Sequence, residues 1–222
     1  MIVEKSMPVG LIGGAPICEK ALTLMRSMAG PVVAADGGAE TALAHGITLD
    51  ALIGDFDSIS DAVQNFYPCE IQHRINEQDS TDFEKCLTRI DAPLILGVGF
   101  TGARLDHQLA VCNALVRHPC RRCLLIGQDD ALFLAPPVFS LDMAPDTRVS
   151  LFPMGEVGGR SDGLNWPIDG LMLAPDGQIG TSNFATGPIS LSVTAPKMLV
   201  ILPADYAGAA AQMLMTNPEH WG

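Results

Sequence analysis

A chain of 222 residues, 48% of them hydrophobic, can build one large or two modest domains around packed cores, which excludes a disordered chain. Its net charge of −12 with no basic block argues against nucleic-acid partners, which need a positive footprint. No apolar run approaches the ~20 residues of a membrane span, and Met1-Ile2-Val3-Glu4-Lys5 lacks the features of a secretory signal, so a cytoplasmic protein with no membrane partner is expected.

Short apolar runs alternate with helical patterns through the first half of the chain. Strands are expected at Val9–Ile12, Val32–Ala35, Ala51–Ile53, Glu70–His73, Leu94–Val98 and Cys123–Ile126. Their consecutive apolar positions suit parallel strands covered on both faces. Helices are expected at Ile17–Met28, Asp82–Ile90 and Arg104–Arg117, the last with Leu105, Leu109, Cys112, Leu115 and Val116 on one face. After Pro136-Pro137 the pattern changes to short β-branched runs, Thr147–Phe152, Ile189–Thr194 and Met198–Leu202, separated by Gly and Pro and followed by a helix at Ala204–Met215. The expected fold is an α/β N-terminal domain with a mostly parallel, Rossmann-like sheet over residues 1–136, then a smaller all-β antiparallel sandwich domain over 137–222.

Four motifs fall at expected strand ends, where open α/β sheets bind ligands. Ala35-Asp36-Gly37-Gly38-Ala39 offers close backbone approach, although Asp-Gly-Gly is also an ordinary tight turn. Gly54-Asp55-Phe56-Asp57-Ser58 is either a polar turn or a pair of carboxylates held for a hard cation. In Gln78-Asp79-Ser80-Thr81-Asp82-Phe83-Glu84-Lys85, the T-x-x-E spacing of Thr81 and Glu84 predicts a helix start. Asp82 there either serves the helix dipole or faces a site, and Lys85 either pairs with Asp82 or reaches a phosphate. The glycine-rich Gly97–Gly102 loop leads into Arg104-Leu105-Asp106-His107, a strand–loop–helix arrangement suited to phosphate, with Arg104 able to make bidentate contacts.

Asp36, Asp55, Asp57, Asp79 and Asp82 would converge at one sheet edge if the βα reading holds. Carboxylates gathered this way need a compensating cation, and Mg2+ with substrate phosphates is the natural occupant. The residues therefore describe a Mg2+-dependent enzyme acting on a nucleotide, without naming the acceptor. The six cysteines suit reduced thiols, and Cys120-Arg121-Arg122-Cys123 lacks the further ligands of a zinc site.

Taken in order, these motifs resemble the thiamine pyrophosphokinase (thiamin diphosphokinase) family. That family shows ADGGA, GDFDS, Q-x-x-TDF-x-K and G-G-R-LDH segments, then GLKY or GLKW and an SN pair in a second domain. This chain matches at residues 35–39, 54–58, 78–85 and 102–107, then at Gly163-Leu164-Asn165-Trp166 and Ser182-Asn183. The resemblance implies transfer of the diphosphate group of ATP to the thiamine hydroxyl, giving thiamine diphosphate and AMP. It implies a catalytic set of Asp55, Asp57, Asp82 and Arg104, with Mg2+ held by Asp55, Asp57 and Asp82. It places the nucleotide against Asp36, Gly37, Gln78, Thr81, Lys85, Arg104 and Asp106. Thiamine would meet Trp166, Ser182 and Asn183, in a homodimer whose site lies at the subunit interface. Trp166 has its own rationale, because aromatic faces suit cationic heterocycles, set against a plain core role. Two positions depart from the pattern: Ala103 replaces the second glycine of G-G-R, and Glu40 stands where Asn is common. Rival readings are another Mg2+-dependent diphosphokinase with a pterin alcohol acceptor, and a non-catalytic nucleotide or thiamine-phosphate sensor.

Overall fold

Runs of four wholly buried apolar residues form most of the strands in the first half, and amphipathic helices connect them. The computed structural model describes residues 1–222 and divides into two units, Met1–Ala114 with Leu125–Gln128, and Leu115–Leu124 with Asp129–Gly222. The elements of the first half are β1 (Val3–Glu4), β2 (Val9–Ile12), α1 (Glu19–Met28), β3 (Val32–Ala35), α2 (Gly38–Ala44), β4 (Ala51–Gly54), α3 (Asp61–Phe66), β5 (Gln72–Arg74), α4 (Asp82–Arg89), β6 (Ile90–Asp91), β7 (Ile95–Val98), α5 (Leu105–Arg117) and β8 (Cys123–Ile126). Strands β7, β2, β3, β4 and β5 lie side by side in that order, all parallel, while β1 and β6 form a separate short pair. The chain moves outward from β2 to β5 and then returns to β7 on the other flank of β2. Such a reversal opens a crevice at the carboxyl ends of the strands. Glycines line it: Gly13 donates to the Val98 carbonyl, and Ala15 donates to the Gly99 carbonyl.

The helices begin as their sequences dictate. Thr81 caps α4, its hydroxyl accepting from the Glu84 amide, and Ser60 caps α3 by accepting from the Val63 amide. In α5 the buried stripe runs through Val111, Ala114 and Leu115, whereas Leu105 and Leu109 are exposed. The expected apolar face of that helix therefore begins a turn too early. Helices α2 and α3 are too short for a clear helical period in the sequence.

The second unit contains β9 (Asp130–Leu134), β10 (Val138–Leu141), β11 (Arg148–Pro153), β12 (Val157–Leu164), β13 (Met172–Leu173), β14 (Gly180–Val193), β15 (Met198–Pro203) and α6 (Ala207–Thr216). All its pairings are antiparallel. The expected boundary at Pro136-Pro137 lies inside this unit, because β9 pairs with β15 over five residues. Gly187-Pro188, expected to separate elements, lies within the 14-residue β14. That strand pairs with β11 through its first residues and with β10 and β12 through its last. The change of partner coincides with a register shift in which residues 186–189 of β14 stand opposite the single Gly163 of β12, whose φ is 75°. A side chain at Gly163 would sit 2.1 Å from the Pro188 carbonyl oxygen, so only glycine lets the two strands pass there.

Candidate functional site

Strand β3 ends at Ala35 and delivers Asp36 into a left-handed backbone conformation with φ 41°. Its side chain is buried, and the segment after β4 folds over it. The Phe56 amide donates to Asp36 Oδ1 at 2.8 Å and the Ser58 amide donates to Oδ2 at 3.2 Å. Phe56 also takes a positive φ, 68°, and its ring lies 5.2 Å beneath the Arg74 guanidinium. Gly54 permits this wrap, since a Cβ there would stand 2.7 Å from the Asp36 Cβ. Burial pushes the Asp36 carboxyl above the usual carboxylate range, and the two amides oppose that shift. Glu40 accepts from the Ser60 amide at 2.7 Å and so fastens the far end of the same loop to α2. The departure at position 40 thus carries a structural contact.

The loop turns Asp55 and Asp57 toward Asp36, and one carboxylate oxygen from each of the three lies within 4.8 Å of the others. All the donors are oxygens, the set a hard divalent cation prefers. Behind this trio lies Lys85, the largest fully buried side chain. Its Nζ donates at 3.1 Å to Asp55 Oδ2 and at 3.1 Å to Asp82 Oδ1. Gln78 Nε2 donates to Asp55 Oδ2 at 3.2 Å, and the Asp57 amide donates to Asp55 Oδ1 at 3.3 Å. Burial alone would raise the Asp55 carboxyl, but the donors around it, Lys85 foremost, hold it below its usual range. Burial wins at Asp82, whose carboxyl lies above that range despite Lys85. The structure thus gathers Asp36 with Asp55 and Asp57, and joins Asp82 to Asp55 through an ammonium group. Asp79 is exposed on the following loop, where Glu77 accepts from the Asp79 and Ser80 amides.

Arg104 and Asp106 pair with each other at the start of α5, through Nε to Oδ1 at 3.2 Å and Nη2 to Oδ2 at 2.7 Å. The Arg104 side chain is 69% exposed and leaves its remaining donors open to an incoming anion. Arg104 holds the Asp106 carboxyl below the ordinary carboxylate range. Within the second unit, Trp166 is 56% exposed, and its ring lies 5.8 Å from that of Phe184. Ser182 is exposed with φ 60°, and its amide donates to the Ser150 hydroxyl at 3.1 Å. Asn183 is buried, and its carboxamide is engaged with backbone. It donates to the Trp166 carbonyl at 2.7 Å and accepts from the Trp166 and Phe184 amides at 3.1 and 2.9 Å. It therefore builds the turn that presents the aromatic pair.

A family model described as thiamin pyrophosphokinase, catalytic domain, matches residues 23–125. Over that stretch the α/β portion is similar to the catalytic domain of thiamin pyrophosphokinases. Thiamine pyrophosphokinase 1 of Oryza sativa subsp. japonica is 31% identical over 153 residues, covering 60% of this chain and 58% of that protein. Thiamine pyrophosphokinase 1 of Arabidopsis thaliana is 28% identical over the same length, covering 60% and 57%. The chain thus spans less than two thirds of these curated relatives. Among solved structures, thiamin pyrophosphokinase from Candida albicans superposes with a TM-score of 0.76 at 17% identity, covering 91% of this chain and 94% of the other. The enzyme from Geobacillus thermodenitrificans gives 0.73 at 23%, covering 89% and 97%. These likenesses establish a shared fold of mixed sheet and helices. The thiamin pyrophosphokinase match includes Asp36, Asp55, Asp57, Asp82, Lys85 and Arg104, while Trp166, Ser182 and Asn183 lie beyond it.

Two contributors escape the sequence reading. Phe184 completes the aromatic pair, and only its place directly after Ser182-Asn183 pointed to it. Gly13-Gly14, which directly follows β2, was a legible signal for the crevice. Of the five carboxylates expected to converge, Asp36 meets Asp55 and Asp57 through the loop that folds over it, while Asp79 stands apart on an exposed loop.

Proposed function

We propose that the protein is a thiamine diphosphokinase, transferring the diphosphate group of ATP to thiamine with release of AMP. The acidic trio with Lys85 behind it is the observation that carries this reading, because an oxygen-only donor set at strand ends suits a metal–triphosphate complex. In the reaction the thiamine hydroxyl oxygen bonds to the β-phosphorus and releases its proton to solvent. The bond from that phosphorus to the α–β bridging oxygen breaks, and AMP departs with the oxygen. Asp55 and Asp57, with Asp36 or Asp82 beside them, would hold Mg2+, which when bound supplies charge neutralisation for the transferring phosphates.

The protein's own groups do the positioning. Asp36 keeps the loop folded so that both carboxylates face one way, and Gln78 fixes the Asp55 rotamer. Arg104 turns from Asp106 to make bidentate contact with a phosphate. Gly37 and Thr81 line the nucleotide side at the starts of α2 and α4. Trp166, with Phe184 and Ser182, offers an aromatic face to the cationic thiamine. The first unit is read as a Rossmann-like nucleotide domain and the second as a β-sandwich that binds thiamine and forms a homodimer. A cytoplasmic setting accords with six free cysteines.

The test is incubation of the purified protein with ATP, Mg2+ and thiamine, quantifying AMP and thiamine diphosphate. Equimolar AMP and thiamine diphosphate are expected. ADP in place of AMP, AMP formed only with a pterin alcohol, or nucleotide binding with no turnover would each overturn the assignment. Light scattering on the same sample measures the subunit number, and a monomer would remove the shared-site reading.

A further inference from the structure

Tyr67 is 5% exposed, and its hydroxyl is buried with no hydrogen-bond partner. Such a group costs stability, so its presence in a folded protein calls for a reason. The residue is fixed from both sides. Its amide donates to the Val63 carbonyl at 3.3 Å and closes α3, while Gln72 Nε2 donates to the Tyr67 carbonyl at 2.7 Å and to the Gln64 carbonyl at 2.8 Å. Phe66 packs edge-on against its ring, with centroids 5.2 Å apart. Helix α3 packs on α2, which carries Glu40. Glu40 Oε1 accepts from the Ser60 amide at 2.7 Å, and its other oxygen has no protein donor. Burial, joined by the nearby charge of Glu40, pushes the Tyr67 hydroxyl above the usual phenol range and so keeps it a proton donor. An unused buried donor and an unused carboxylate oxygen thus share the seam between α2 and α3.

Both sides of that seam lead to the site. Helix α2 opens at Gly38, directly after Asp36 and Gly37, and α3 follows the loop that carries Asp55 and Asp57. We infer that Tyr67 is a positioning residue whose hydroxyl donates to the free oxygen of Glu40 when Mg2+–ATP occupies the crevice and draws the Asp55–Ser60 loop and α3 toward α2. A bond made only in the occupied state adds its free energy to ligand affinity, because a ligand shifts an equilibrium only by what it gains differently in the two states. In the free protein the same hydroxyl is unpaired, so its removal relieves the fold. The two signs are opposite, whereas loss of a merely structural side chain weakens the free protein as well. The inference rests on the proposed nucleotide reading of the site.

The experiment compares wild type, Tyr67→Phe, Glu40→Ala and the double variant, by thermal unfolding of the free proteins and by calorimetric titration of Mg2+–ATP without thiamine. Free Tyr67→Phe should unfold at the wild-type midpoint or slightly above it, since only an unpaired hydroxyl is lost. Its Mg2+–ATP affinity should fall about tenfold, the scale of one charge-assisted hydrogen bond. In the Glu40→Ala background the same change should alter affinity by less than about twofold, because the acceptor is already gone. A lowered midpoint for free Tyr67→Phe, an Mg2+–ATP affinity within about twofold of wild type, or an equal loss in both backgrounds overturns the inference. Wild type that shows this binding pattern but forms no thiamine diphosphate would remove the assigned reaction and leave the role of Tyr67 standing. Wild type that does not bind Mg2+–ATP would overturn both.

Discussion

The acidic edge of the first unit and the aromatic edge of the second present functional groups in opposite ways. At the acidic edge, nearly every polar atom is engaged before any substrate arrives: amides hold Asp36, an ammonium and a carboxamide hold Asp55, and a hydroxyl donates to Asp57 at 2.8 Å. At the aromatic edge, the buried groups are backbone and Asn183, while the rings of Trp166 and Phe184 are exposed. The difference follows from physics. Like charges brought together must be prepaired or they repel and lose solvation. An aromatic face needs no partner, only a rigid turn that presents it. Mutations at the first edge should therefore alter chemistry, and those at the second should separate into binding and stability.

The largest effect is expected from Asp57→Asn. Asp57 is exposed, so the fold should survive, while kcat falls by roughly a hundredfold or more as metal binding weakens. Steady-state kinetics beside circular dichroism decides this, and near-normal turnover would break the contrast. Asn183→Ala should cost about 2 kcal/mol of stability, since Trp166 and Phe184 backbone groups lose their partner in a buried position. Denaturant unfolding measures that cost, and a change confined to KM with unaltered stability would return Asn183 to the substrate pocket. Trp166→Ala should raise KM for thiamine by about tenfold and leave that for ATP within about twofold. A drop in thermal midpoint instead would make Trp166 a packing residue. Glu40→Gln should be mildest, about 0.5–1 kcal/mol, because a neutral carbonyl oxygen can still accept from the Ser60 amide. A loss of turnover larger than the loss of stability would mean that the clasp also tunes the loop over Asp36.

Much of this was legible in the sequence because the deciding interactions are local. Buried runs such as Val32–Ala35 and Ala51–Gly54 form strands through apolar content alone, and Thr81 caps a helix by reaching three residues along. The order of ADGGA, GDFDS and TDF segments carried the family resemblance likewise, since motif order is a property of the chain. Where the sequence misled, contacts distant along the chain prevailed. Gly187-Pro188 reads as a terminator, yet β14 continues through it by bulging opposite Gly163 of β12, which has no side chain to block the Pro188 carbonyl. Leu105 and Leu109 read as core but lie outside the buried stripe of α5.

The sequence by itself thus determined which residues are candidates for the chemistry and in what order the elements follow, because strand content, caps and motif order depend on near neighbours. Only the tertiary structure decided how the carboxylates divide. It placed Asp36 with Asp55 and Asp57, and it put Lys85 between Asp55 and Asp82. The physical reason is that charges 19 to 30 residues apart are matched through the packing of α4 against β4 and the fold of one loop over Asp36. Both are long-range arrangements that no spacing within a motif encodes.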